Sequence, residues 1–205
     1  MDYYIADTHF GHEAILSECR PQFKTTQEMD KFIIDNINRK MTRKDTLYII
    51  GDFSYRSKKS PTEYLEAIKP KKVLILGNHD EWVKKLTEEQ KQKYFVDGII
   101  YDSLMRKKNK IELHFCHYPM LDWNGSHYFG HSFSICGHIH QRKEGRLSAE
   151  VFPLIKNQFN AGVDINNYEP VTFEELIENN ARFYQRTYTD EEIALLKDAV
   201  ERLSK

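Results

Sequence analysis

Val73-Leu74-Ile75-Leu76-Gly77-Asn78-His79-Asp80 is the stretch on which the reading of this chain turns. An unbroken aliphatic run bounded by turn residues is the pattern of a strand buried on both faces. Gly77 lets the backbone leave the strand sharply, because it has no Cβ to clash. Three polar side chains able to bind a metal or move a proton follow at once. Taken alone, Gly-Asn is ordinary turn chemistry. The pattern matters because it recurs along the chain, each time with ligand-type residues at the end of an apolar run.

Toward the N-terminus, Thr46–Ile50 is a second buried strand, and Gly51-Asp52 follows it. Between the two strands, Ser60-Pro61-x-Glu63 starts a helix that runs to about Ile68, with a cap residue, proline at the first helical position and an acid in the first turn. Residues 3–6 form a short strand that ends in Asp7-Thr8-His9-Phe10-Gly11-His12. In an extended exit, residues two apart point the same way, so Asp7 and His9 can share one target, with His12 close by. Thr25-x-x-Glu28 reads as a capping box, and Met29, Phe32, Ile33 and Ile37 behind it form a core stripe. Arg20 lies in the loop before that helix, as a surface charge or a phosphate contact. Strand, helix, strand, helix, strand implies an α/β layer fold with crossover connections.

Toward the C-terminus, residues 99–101 and Ile111–Cys116 read as strands with no helix between them, and the basic residues 106–110 as a solvated hairpin turn. The second of these strands ends at His117-Tyr118-Pro119. Residues 133–136 form the next strand and end in Gly137-His138-Ile139-His140, and residues 158–163 form one more. The loop 122–131 is expected beside the site, with Trp123, Asn124, His127 and His131 contacting substrate or pinning the loop. Thr87-x-x-Gln90, Thr172-x-x-Glu175 and Thr189-x-x-Glu192 each start a helix, the last carrying Ile193, Leu196, Val200 and Leu203 at helical spacing. With no internal repeat, low-complexity tract or linker, the expectation is one domain over residues 1–205, ending in helices from about 172 to 205.

Composition narrows the class. A 205-residue chain with 40% hydrophobic residues has room for a real core. Thirty basic residues against thirty-one acidic ones leave a formal charge of -1, so no bulk basic field recruits nucleic acid. No run approaches the roughly 18 apolar residues of a membrane span, and Met1–Ile5 carries no signal-peptide pattern. Cys19, Cys116 and Cys136 match no zinc-finger spacing, and two lie in strand-like runs, which reads as reduced core thiols in a cytoplasmic protein.

Five strand ends thus deliver Asp7 and His9, Asp52, Asn78 and His79, His117, and His138 and His140. The carboxyl ends of strands in an α/β sheet gather along one edge. Imidazole, carboxylate and amide oxygen without thiolate suit manganese, iron, zinc or a similar ion. So many ligand-type residues exceed one tetrahedral site, whereas two ions about 3.5–4 Å apart sharing a carboxylate would accommodate seven ligands.

These motifs, DTHFGH, GDFSY, GNHD, CHYP and GHIH over residues 7–140, resemble the signature of the calcineurin-like metallophosphoesterase superfamily. The surrounding CRPQF, HYPMLDWNGSH and NAGVDINNYEPV are similar to its small stand-alone bacterial and phage phosphoesterases. The resemblance implies an α/β sandwich of two mixed β-sheets flanked by helices. It implies that Asp7, His9 and His140 hold one metal, that Asn78, His117 and His138 hold the other, and that Asp52 bridges them. His79 would face the substrate phosphate as the catalytic acid or charge stabiliser, with Asp52 also in the catalytic set. Two divalent ions per chain are implied, manganese foremost, with iron, zinc, nickel and magnesium as further candidates. The activity implied is hydrolysis of phosphomonoesters or phosphodiesters of small or flexible substrates, a nucleotide among them, by metal-hydroxide attack. Arg20, Arg56, Asn124 and His12 are the candidate substrate contacts.

Serine/threonine protein phosphatases of the superfamily follow the bridging carboxylate with Asp-Arg-Gly, and the aspartate orients the catalytic histidine. Here Tyr55 occupies that place and Arg56 keeps the basic one, so a protein-phosphatase role is not expected and the partner of His79 is left open. The alternatives are a DNA or RNA nuclease of the same superfamily, disfavoured by the balanced charge and by a length with no room for a capping domain, and a non-catalytic scaffold, disfavoured by the full set of histidines. Stable nucleic-acid binding and membrane association are not expected.

Overall fold

Strands that are apolar on both faces need cover on both sides, and two sheets with a helical layer supply it. The computed structural model describes residues 1–142 and 145–205. Its elements run β1 (Asp2–Ile5), α1 (Glu13–Cys19), α2 (Thr26–Lys40), β2 (Thr46–Ile50), α3 (Pro61–Ala67), β3 (Lys71–Ile75), α4 (Glu88–Tyr94), β4 (Phe95–Tyr101), β5 (Ser103–Lys108), β6 (Ile111–Cys116), β7 (Ser132–Cys136), α5 (Leu147–Val151), β8 (Gln158–Asn160), α6 (Phe173–Tyr184) and α7 (Asp190–Ser204). The strands form two four-stranded sheets, ordered β1-β2-β3-β4 and β5-β6-β7-β8. This is the expected α/β sandwich.

Every pairing between named strands of the first sheet is parallel, joined by crossovers through α1 to α4. An antiparallel bridge from Tyr4 to Val171 continues it. The second sheet is mixed, with an antiparallel β5–β6 hairpin followed by parallel pairs. Alternation along each strand sorts side chains between two cores. Ile5, Leu47, Ile49 and Leu74 join Ile33, Ile37 and Leu65 of the helical layer. Tyr4, Tyr48, Ile50 and Ile75 join Leu113, Phe115 and Phe133 between the sheets. A one-residue slip of β2 would exchange its two sets, so the register is strongly specified.

Ser60, Thr87, Thr172 and Thr189 all close full capping boxes. The box at Thr25 is only half formed. Its side chain accepts from Glu28 N, but Glu28 turns back to Lys24 N. Phe32 leaves the expected core stripe and is 46% exposed, beside Phe23. The basic residues 106–108 belong to β5 rather than to a turn. The turn itself is Asn109-Lys110, both at positive φ (49° and 68°), the two-residue hairpin geometry whose twist matches the strands it joins. α1 lacks a side-chain cap at His12, which is why no start signal marks it in the sequence.

The parallel strands of the first sheet point their carboxyl ends one way, and β6 and β7 are stitched to the same edge. Asp7 N donates to Gly51 O (3.1 Å), Gly137 N to His117 O (2.9 Å) and Ala6 N to Ala161 O (2.8 Å). The loop 122–131 lies at the other end of the second sheet. Trp123 and Asn124 contact Ser132 and Glu112, which pair at the starts of β7 and β6. Its expected place beside the site is therefore corrected, and Asn124 with it.

Two glycines make the strand exits close enough to share ligands. A Cβ on Gly51 (φ 80°) would fall 2.2 Å from His117 Nδ1, and one on Gly77 would fall 2.3 Å from Asp52 Oδ1. Gly51→Ala is therefore predicted to cost about 2 kcal/mol or more, from left-handed strain and overpacking together, and to push the His117 ring aside. Chemical denaturation measures this, and an unchanged midpoint would contradict the close approach.

Candidate metal centre

The strand exits do not continue as extended chain. Asp7 (φ 55°), His9 (φ 49°), Asp52 (φ 54°), His138 (φ 70°) and His140 (φ 50°) all adopt left-handed backbone. For residues other than glycine this costs about 1–2 kcal/mol each, and such strain persists where the surrounding structure over-determines it. Asp7 and His9 do converge, but through two left-handed turns rather than strand alternation. Asn78 and His79 also form the corner of a turn, closed by Asp80 N donating to Gly77 O (3.3 Å). The extended exit assumed for that segment is replaced by this turn.

Two clusters result. Ligand atoms of Asp7, His9 and His140 lie within 4.8 Å of one another, and so do those of Asp52, His117 and His138. His9 joins the clusters, its Nε2 standing 3.9 Å from Asp7 Oδ1 and 3.6 Å from Asp52 Oδ2. His117 Nε2 is 3.4 Å from Asp52 Oδ2, and His140 Nε2 is 3.8 Å from Asp7 Oδ1. Both ring nitrogens of His9 and the Nε2 of His117 are buried with no hydrogen-bond partner among the described residues. Buried nitrogens left unpaired are costly, and here they point at carboxylate oxygens too distant for a good hydrogen bond. Atoms at that spacing form groups able to hold a metal ion. Asn78, exposed at its turn, stands beside His79 in the neighbouring cleft.

The rings are aimed by what their other nitrogens touch. His117 Nδ1 meets Ile50 O at 3.0 Å, which turns Nε2 toward Asp52. His140 Nδ1 meets Asp164 Oδ2 at 2.7 Å, which turns Nε2 toward Asp7. The carboxylates are served by backbone: His79 N donates to Asp52 (2.9 Å) and His138 N to Asp7 (2.9 Å). Burial pushes the Asp7 carboxyl up, against the lowering pull of His140 and His117. Burial disfavours the charged ring at both His117 and His140. Asp52 and Asp7 nevertheless raise His117 to about 9, and Asp7 and Asp164 raise His140 to about 10. Burial, with the charge of His117, lowers His138 to about 4.

Asp164 is a residue the motifs missed, although it stands inside NAGVDINNYEP. It also pairs with Arg20, whose Nε lies 2.7 Å from Asp164 Oδ1. Arg20 is fully buried and further donates to the carbonyl oxygens of Asp7 and Thr8. Its reading as a surface charge or phosphate contact is thus corrected: the guanidinium braces the first strand exit from behind. Cys19 Sγ lies 3.9 Å from the same His140 Nδ1, on the side away from Asp7. Asp80, the last residue of GNHD, is buried and accepts from Asp52 N, Phe53 N, Gly77 N and Trp82 Nε1. It ties the second and third exits together.

His79 is half-buried, with Nε2 4.0 Å from Asp52 Oδ2. Its ring packs on Tyr55 with centroids 3.8 Å apart, which identifies the neighbour that replaces the missing aspartate. His12 lies edge-on to Tyr55 at 5.0 Å, and the Arg56 guanidinium sits over that ring at 5.0 Å. The three cysteines are free. Among the described residues no helix is long and apolar enough to cross a membrane.

Comparison with known proteins follows the same lines. The family model of calcineurin-like phosphoesterases matches residues 3–142. The uncharacterized protein MJ1445 of Methanocaldococcus jannaschii is 39% identical over 85 residues, which are 40% of this chain and 48% of that protein. The chain thus spans about half the length of this curated relative. The crystal structure of AQ665 from Aquifex aeolicus, a protein of unknown function, superposes with a TM-score of 0.64 at 27% identity, over 87% of this chain and 98% of that one.

Two predictions test the bracing of these rings. Arg20→Met leaves Asp164 buried without its guanidinium and should cost about 3–5 kcal/mol, read by denaturant unfolding; a loss within experimental error would make the pair incidental. The second concerns pH. Because the His140 value is raised, its protonated ring stabilises the metal-free fold fully below the ordinary value of 6.5 and loses that contribution as pH rises through about 10. In chelator, the thermal midpoint advantage of wild type over His140→Gln should shrink from pH 6.5 to 10. A gap that widens with pH contradicts the assignment.

Proposed function

The chain belongs to the calcineurin-like phosphoesterase family, and from that premise we propose that it is a phosphoesterase working with two divalent metal ions. One observation carries the reading: the buried nitrogens of His9 and His117 stand around Asp52 and Asp7, and nothing among the described residues satisfies them. Asp7, His9 and His140 would hold one ion, Asn78, His117 and His138 the second, and Asp52 would lie between. Nitrogen and oxygen donors suit manganese, with iron, zinc, nickel and magnesium as the other ions of this chemistry. When bound, such ions supply positive charge against the phosphoryl oxygens and lower the pKa of a water.

The chain's own residues then position and protonate. His79 stands beside the clusters at the mouth of a cleft of about 700 Å³, whose walls include Tyr55, Arg56 and Trp82. Packing on Tyr55 restricts its ring, so that it can give a proton to the leaving oxygen without rotating away. Arg56, stacked over Tyr55, would pair with a phosphate oxygen, and His12 adds a further ring beside His79. The cleft volume falls within the range of small-molecule sites, which supports a small or flexible phosphate ester, such as a nucleotide, as the substrate of a cytoplasmic enzyme.

Protein saturated with manganese should bind close to two ions per chain, measured by metal analysis after desalting, and Asp52→Ala should lose both. One tightly held ion in wild type would refute the shared carboxylate. His79→Ala should keep its metal while kcat falls by roughly 10²–10⁴, the usual worth of one general acid. The fall should be smaller for p-nitrophenyl phosphate, whose leaving group needs little protonation. Metal loss equal to that of His117→Ala would instead make His79 a ligand.

A further inference from the structure

Beyond His79 the cleft changes character. One wall comes from the segment after β2, with Arg56 and Lys59, and the other from the 3-10 turn Glu81–Lys85, with Lys84 and Lys85. Four cations thus face one carboxylate, Glu81, and that acid is already held by Lys84 at 2.8 Å. Among the described residues no carboxylate forms an ion pair with Arg56, Lys59 or Lys85, although the chain as a whole carries a formal charge of -1. Cations therefore outnumber acids along this recess, as they also do at the sheet edge lined by Lys69, Lys71, Lys72 and Lys93. In physiological salt exposed charges are screened beyond about 8 Å, so cations act together on an anion only when gathered around it.

Chain length separates Lys84 and Lys85 from the reacting phosphate. A 3-10 segment rises about 2.0 Å per residue, which puts Lys85 about 10 Å beyond Asp80 along the turn. A phosphate seated between His79 and the carboxylate clusters leaves Lys59, Lys84 and Lys85 for something else. Trp82 is a fixed part of the lining, its indole N–H donating to Asp80 and its ring beside Phe53.

We propose that this recess is a second anion subsite, and that the preferred substrate is a small phosphate ester whose leaving group carries another phosphate. The inference rests on the phosphoesterase reading above and adds the substrate class to it. Arg56 and His79 serve the phosphate that is cleaved, while Lys59, Lys84 and Lys85 grip the one that leaves with the product.

The test compares hexane-1,6-diol bisphosphate with hexyl phosphate, which differ in the second phosphate alone, using the manganese-loaded full chain. Wild type should favour the bisphosphate in kcat/KM by about 10-fold to 100-fold, the worth of one or two charge-assisted hydrogen bonds. The preference should fall with added salt. It should collapse toward parity in the variant combining Lys59→Gln, Lys84→Gln and Lys85→Gln, three exposed positions whose replacement leaves the core untouched. Parity in wild type, or a preference retained in the variant, overturns the subsite. If wild type hydrolyses neither compound nor p-nitrophenyl phosphate, the phosphoesterase reading fails, and calorimetry judges the subsite alone. Tighter binding of the bisphosphate, lost in the variant, then supports it, and equal binding of the two compounds overturns it. A short single-stranded oligonucleotide that displaces the bisphosphate at equal phosphate concentration also overturns it, assigning the recess to a polymer.

Discussion

Asp7 and Asp52 are both buried, close enough to feel each other's charge, and the edge of both sheets is arranged around that fact. A carboxylate in low dielectric is costly unless donors or cations compensate it. Backbone N–H groups of His138 and His79 provide part of the compensation, and imidazoles provide the rest. Burial raises the Asp52 carboxyl, but the nearby His117 and His9 imidazoles and the His79 N–H outweigh it and hold the value well below the usual range. In the metal-free chain this balance protonates His117 and His140. A divalent cation held there would neutralise the same carboxylates, and its histidine ligands would be neutral.

Around this pair lies a second set of buried acids whose task is alignment. Asp164 spans the molecule: it pairs with Arg20, 144 residues away in sequence, and aims His140. It also stands outside the region matched by the family model, which ends at residue 142. The C-terminal third thus completes the site from behind while contributing none of the motif residues. Asp80 does the same for the second and third strand exits by collecting four donors. Five ligand-type residues can stay in left-handed backbone because these hydrogen bonds over-determine their turns.

The face that carries His79 is built differently. His79, Tyr55, His12 and Arg56 form a stack of rings and a guanidinium rather than a web of carboxylates. Ring packing on Tyr55, rather than a hydrogen-bonded aspartate, restrains the His79 ring. That arrangement opens directly into the lysine-lined recess, and the charge of the cleft is set by residues on two short segments beside the sheet edge.

The α/β sandwich and the convergence of ligand-type residues were legible in the chain itself. Apolar runs, glycine exits and capping boxes are local patterns, and parallel strands with crossovers bring their ends to one edge as a geometric consequence. Ligand atoms of Asp7, His9 and His140 lie together at that edge, as do those of Asp52, His117 and His138, while Asn78 stands exposed at its turn. What the sequence could not determine was how they meet. Left-handed exits are invisible in Asp-x-His or His-x-His, because the strain is sustained by partners elsewhere in the fold. Arg20 looks like any loop cation until Asp164 arrives from the far end of the chain to bury it. The loop carrying Asn124 contains the residues of a substrate contact, yet strand direction places it at the starts of β6 and β7. Tyr55 becomes the neighbour of His79 only when two strand exits pack side by side. Local pattern decides which elements form and which residues end them. Contacts between residues distant in sequence decide orientation, burial and charge, and those arise only when the sheets close.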